Sequence, residues 1–114
     1  MSLQIQTRHN NAILTLDLEG IITLGSGSVV LHEAIHKALD SNATVIILNC
    51  ERVEFVDSSG LAEFVSAHIH AEKLGRKLVL KNIDWRLHIL LDATRLSTVL
   101  HIESAPQTSA APAQ

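Results

Sequence analysis

The run Val45-Ile46-Ile47-Leu48 constrains this chain most, because four consecutive apolar residues, three of them β-branched, form the pattern of a central strand covered on both faces. Partners for such a strand are legible on either side. Leu3-Gln4-Ile5-Gln6 and Ile13 to Leu18 alternate apolar and polar with the period of half-buried strands, and His9, Asn10 and Asn11 lie between them, so an opening hairpin is expected. Leu78-Val79-Leu80 and Val99-Leu100-His101-Ile102 read as two further strands.

Helical patterns fill the intervals. From Val29 to Asp40, Leu31, Ala34, Ile35, Ala38 and Leu39 make one apolar face opposite His32, Glu33, His36, Lys37 and Asp40, with Ser28 the expected N-cap. A second helix is expected from about Ser59 to Leu74, with Leu61, Phe64, Val65, His68 and Ala71 in its inner stripe and Gly75 as its C′ stop. Asp84 can cap a third, from Trp85 to about Asp92, with Leu87, Leu90 and Leu91 inward. Strands that alternate with helices after a hairpin predict an α/β fold: a mixed sheet of four or five strands with helices packed against it.

Composition bounds the rest. The chain has 114 residues, 46% apolar and 18% charged, which is one globular domain rather than a disordered or membrane protein. Its one cysteine, Cys50, cannot form an internal disulfide, and a reduced cytoplasmic setting is expected. No stretch approaches the ~20 apolar residues of a spanning helix, and the first residues lack the build of a signal peptide. A net charge of −3, no Tyr, one Trp and two Phe offer neither a basic field nor stacking platforms for nucleic acid. Residues 104–114 hold both prolines among Ala, Ser, Thr and Gln, and are expected to be a disordered tail after a domain spanning 1–103.

The chemistry gathers at Asp57-Ser58-Ser59-Gly60-Leu61, where a loop is expected to enter the second helix. Asp and Ser there can cap the free N–H groups of the first turn. The same N–H groups and the helix dipole favour a phosphate on a serine, which makes the site a candidate switch. A serine nucleophile fits poorly, since the G-x-S-x-G elbow is absent.

Val56-Asp57-Ser58-Ser59-Gly60-Leu61 resembles the signature of the STAS domain family, specifically the bacterial anti-sigma factor antagonists. Glu19-Gly20, Leu24-Gly25-Ser26-Gly27-Ser28, Gly75-Arg76-Lys77-Leu78, Lys81-Asn82-Ile83 and Leu96 to Ile102 match in order, so the resemblance covers about Leu3 to Glu103. It implies a STAS-like single domain that is not an enzyme and needs no cofactor. It further implies that the unphosphorylated form binds an anti-sigma factor that is also a serine kinase, freeing a sigma factor. Phosphorylation of Ser59 would block that binding, Asp57, Ser58, Gly60 and Leu61 would share the partner surface, and a protein phosphatase would reset it. Three departures stand out: Thr23 replaces a common acid, Ala62 replaces a second glycine, and an Ala-Pro tail replaces a final helix. A second reading of the same resemblance is an accessory subunit of a membrane lipid transporter.

His32-Glu33-Ala34-Ile35-His36 is a literal H-E-x-x-H, the helical spacing of a zinc hydrolase with Glu33 as base. Both imidazoles fall opposite the apolar stripe and no third ligand follows at the usual spacing, so a solvated helix face is expected, with no metal beyond adventitious binding. His68 is expected as a boundary residue with a satisfied nitrogen, His70 as pointing elsewhere, and Cys50 as a small core residue. Gly25-Ser26-Gly27-Ser28 lacks the lysine of a phosphate loop and reads as a cap-forming loop.

Overall fold

The computed structural model describes residues 2–103; the expected tail, 104–114, lies outside them. Strands β1 (Leu3–Asn10) and β2 (Ile13–Ile22) form the hairpin, closed by Asn11 and Ala12 with Asn11 in the left-handed region at φ 57°. Asn tolerates that conformation better than most side chains do. Helix α1 (Gly27–Leu39) leads to β3 (Val45–Val56), α2 (Ser58–Lys73) to β4 (Lys77–Lys81), and α3 (Trp85–Ala93) through a short 3₁₀ turn, Leu96–Thr98, to β5 (His101–Glu103). The sheet order is β1-β2-β3-β4-β5, antiparallel at the hairpin and parallel thereafter. This is the mixed α/β sheet that the alternation of patterns predicts, with five strands and three helices.

One expectation needs correcting: β3 is not covered on both faces. Ile46, Leu48 and Cys50 are buried with Leu14, Leu16 and Leu18 of β2 and Leu78 and Leu80 of β4, on the face that receives Leu31 and Ile35 of α1, Phe64 of α2 and Leu91 of α3. Val45, Ile47, Thr15, Asp17 and Val79, on the alternate face, are only half-buried. A polar ladder crosses that second face. Asp17 accepts from the Arg8 guanidinium and, at 2.8 Å, from Asn49 Nδ2, and Asn82 Nδ2 donates to Asn49 Oδ1 at 2.9 Å. β-branching at Val45 and Ile47 therefore reflects strand preference rather than helical cover.

The helix starts differ in one place. Ser28 is buried inside the first turn of α1 rather than capping it, and its N–H, like that of Ser26, donates to the Thr23 carbonyl at 3.1 Å. Gly27 sets the earlier start, because a Cβ there would run into the Ile21 carbonyl oxygen. The fifth strand also begins later than the pattern Val99 to Ile102 suggests: Val99 closes the 3₁₀ turn, and pairing with β4 starts at His101. The end of α2 is as read. Gly75 N–H donates to Glu72 O and Arg76 N–H to Ala71 O, with Gly75 at φ 72°, which is a Schellman closure. Among the described residues no helix is long and apolar enough to cross a membrane.

Candidate functional site

Strand β3 delivers the chain directly to Asp57, and α2 begins at the next residue. The loop expected ahead of the second helix is replaced by strand as far as Val56. Two irregularities hide it: between Asp17 and Glu19, and again between Gly20 and Ile21, β3 carries one residue more than β2. Each extra residue shifts the alternation, so Glu51, Arg52 and Glu54 fall exposed at positions where a regular strand would alternate.

Asp57 organises the site. Its Oδ1 accepts from Ser59 N–H at 2.9 Å, from Gly60 N–H at 3.1 Å and from the Ser59 hydroxyl at 2.6 Å. Oδ2 accepts from Leu24 N–H at 3.0 Å, which ties the β2–α1 loop to the start of α2. The hydroxyl of Ser59 above all, aided by the Leu24, Gly60 and Ser59 amides, holds the carboxyl below its ordinary value against a desolvation effect that exceeds any one amide's contribution. Asp57 is thus a charged cap that orients Ser59 Oγ but makes a weak base for it.

The five residues are not equally accessible. Ser58 is exposed, Asp57 and Ser59 are half-buried, and Gly60 and Leu61 are buried. Gly60 lets the first turn of α2 sit on the ends of β2 and β3: a Cβ would lie 2.6 Å from Val56 Cγ1 and 2.9 Å from the Ile22 carbonyl oxygen. Beside the site lies an apolar surface that pattern reading passed over. Leu24, bonded to Asp57, is 79% exposed, and Phe55 and Ile89 are each 57% exposed. Phe55 and Ile89 line a groove of about 350 Å³ between the end of β3 and α3, with Val53, Val56 and Leu87 among its walls. The available signal was Phe55 itself, a large aromatic two residues ahead of a polar cap.

The H-E-x-x-H residues are arranged otherwise. His32, Glu33 and His36 are all exposed, as expected, but the imidazoles reach α2 rather than open water. His32 Nδ1 lies 3.0 Å from Glu63 Oε1, and the His36 ring centroid is 4.3 Å from that of His32 and 5.0 Å from that of His70. Cys50 is buried in the core, and that burial, with a lesser contribution from the charge of Asp84, pushes its thiol up to about 12. Contrary to expectation, His68 has an unsatisfied nitrogen: Nδ1 is buried with no hydrogen-bond partner among the described residues.

Comparison with known proteins is informative once this geometry is in hand. The STAS domain family matches over residues 4–109. An anti-sigma F factor antagonist of Paenibacillus polymyxa is 26% identical over 105 residues, covering 90% of this chain and 87% of its own. Two solved structures share the fold. An anti-sigma factor antagonist from Mycobacterium paratuberculosis superimposes with a TM-score of 0.78 at 18% identity, over 93% of this chain and 87% of that one. The Bacillus cell fate determinant SpoIIAA in its phosphorylated form gives 0.70 at 21% identity, over 91% and 93%. With the family pattern spanning nearly the whole folded region and the five-stranded sheet in place, this chain belongs to the STAS domain family.

Proposed function

We propose that this STAS domain is an anti-sigma factor antagonist working by partner switching, and that Ser59 is its phosphorylation site. The observation that carries the reading is the Ser59 hydroxyl, held 2.6 Å from Asp57 Oδ1 at the N-terminus of the 16-residue α2, beside exposed Leu24, Phe55 and Ile89. The relative named as an anti-sigma F factor antagonist and the SpoIIAA structure in a phosphorylated form support it.

The physics follows from charge. In the unmodified state the site is a neutral hydroxyl and one internally bonded carboxylate next to apolar surface, which a partner can cover with little uncompensated desolvation. Phosphorylation adds about −1.5 to −2 charges and removes the proton that Ser59 donates to Asp57. The positive end of the α2 dipole partly accommodates the phosphate within the folded domain. A partner surface that fits the unmodified site must instead bury it, at a cost of several kcal/mol and hence orders of magnitude in affinity. The partner is an anti-sigma factor that is also the serine kinase, and a protein phosphatase restores the binding form. The domain itself is no enzyme: Ser59 faces a carboxylate whose basicity is reduced, and Asp57, Ser58, Gly60 and Leu61 position the surface rather than perform chemistry.

Titration calorimetry of the unmodified and phosphorylated chain against the anti-sigma factor, with mass spectrometry locating the phosphate, tests this. The expected result is modification at Ser59 and an affinity lower by about a hundredfold or more. Equal affinities, or phosphate confined to other serines, would leave Asp57 to Gly60 as a helix cap.

A further inference from the structure

A second cluster of chemistry-bearing side chains lies near the other end of α2. His68 and Glu72 stand one turn apart on the same helix face, and β5 brings His101 against them. One ligand atom from each of the three lies within 4.8 Å of the others. His101 Nε2 is 3.2 Å from Glu72 Oε2, and the His68 and His101 ring centroids are 5.2 Å apart.

We propose that His68, Glu72 and His101 form a binding site for a divalent transition-metal ion of the zinc class. Bonds of about 2.0–2.2 Å at tetrahedral angles place neighbouring ligand atoms roughly 3.3 Å apart. The Glu72–His101 pair already has that spacing, at 3.2 Å. All three ligand atoms lie within 4.8 Å of one another, and Glu72 and His101, with side chains 52% and 41% exposed, have room to rotate toward a shared ion. Two imidazoles and one carboxylate select zinc, cobalt or nickel over magnesium or calcium, which prefer all-oxygen sites. Glu72 and His101 are paired with each other, while His68 carries a buried Nδ1 with no hydrogen-bond partner among the described residues. Binding at Nε2 of His101 requires only that the ring hydrogen sit on Nδ1.

This site is separate from the H-E-x-x-H of α1 and from the phosphorylation site, since Glu72 lies about 20 Å along α2 from Ser59 at 1.5 Å per residue. Its effect is structural. A metal ion would fasten β5, a strand of three residues at the sheet edge, to α2. The spacing, three residues between His68 and Glu72 and then 28 to His101, matches no familiar motif, which is why only the folded chain reveals it.

The test titrates the untagged, metal-free full chain with zinc chloride by calorimetry and follows thermal unfolding with and without the ion. One zinc per chain and a raised Tm are expected. Glu72→Gln and His101→Ala should each weaken binding about tenfold or more, as loss of a ligand requires. His36→Ala should leave it unchanged. Circular dichroism checks each variant, and the exposed Glu72→Gln keeps the test standing if His101→Ala loosens β5. Absence of binding, undiminished affinity in Glu72→Gln, or loss of binding in His36→Ala would overturn the assignment.

Discussion

Asp57 does two things with one carboxylate oxygen, capping α2 and aiming Ser59, and its charge strengthens both. A carboxyl held below its ordinary 3.8 contributes stability that is fully present above that value. The contribution is lost as pH falls through the lowered folded value. Asp57→Asn retains a side-chain acceptor for the Ser59 and Gly60 amides but has no charge. The variant should therefore be less stable than the parent at pH 7, with the gap closing in acid, as urea melts at pH 7 and pH 3 would show. A gap that is constant with pH would mean the charge contributes nothing. Gly60 presents the opposite case, where the residue matters for what it lacks. Gly60→Ala gains helix propensity yet forces a Cβ to 2.6 Å from Val56 Cγ1 and 2.8 Å from Ile22 Cγ2. Overpacking of this kind costs about 1–3 kcal/mol, so a net loss in urea denaturation is expected even though alanine is the better helix former.

Helices were more legible than strands, and the reason is local. Helix α3 announces itself through Asp84, whose Oδ1 accepts from Leu87 N–H at 2.9 Å, and α2 through Asp57 and Gly75, so residues within one turn fix the ends. The length of β3 depends instead on two bulges against β2, which no pattern within β3 encodes, so a loop was expected ahead of α2 where strand continues to Val56. Ser28 shows the same limit at a helix start: a serine before an apolar stripe resembles a cap, but contact between Gly27 and β2 sets the first turn earlier. The five residues of the proposed switch site, Asp57 to Leu61, are contiguous in the chain, so the family resemblance carried by that run could point to them. Phe55, Ile89 and the His68–Glu72–His101 cluster could not be named in advance, since they meet only through tertiary packing. The element ends also yield a clean test. Gly75 has φ 72° with open space where a Cβ would go, so Gly75→Ala meets backbone strain and no collision. A loss of about 1 kcal/mol in urea denaturation is expected, with Gly75→Asn losing less because Asn tolerates the left-handed region.

At the scale of the whole molecule, the sheet packs its three helices on one face, and the start of α2 is fixed there from three directions. Gly60 packs on Ile22 and Val56, Leu61 is buried, and Asp57 holds Leu24 N–H while donating its own N–H to Ile22 O at 3.1 Å. Behind it, Phe64 is fully buried in the core, where truncation to alanine typically costs about 3–5 kcal/mol. These contacts tie the start of α2 to the ends of β2 and β3 and to Leu24. The switch should then act through charge at the surface rather than through a change of fold. Amide chemical shifts of the phosphorylated chain should move for the residues around the site, among them Leu24, Phe55 and the first turn of α2. Those of β1, β4 and the far end of α2 should stay in place, and the Tm should change by no more than about 4–8 °C, the equivalent of roughly 1 kcal/mol in a domain of this size. Partner affinity should nevertheless collapse in the same sample. Shift changes spread across β1 and β4, or a Tm lowered by tens of degrees, would show instead that phosphorylation works by loosening the domain, and the local electrostatic account would fail.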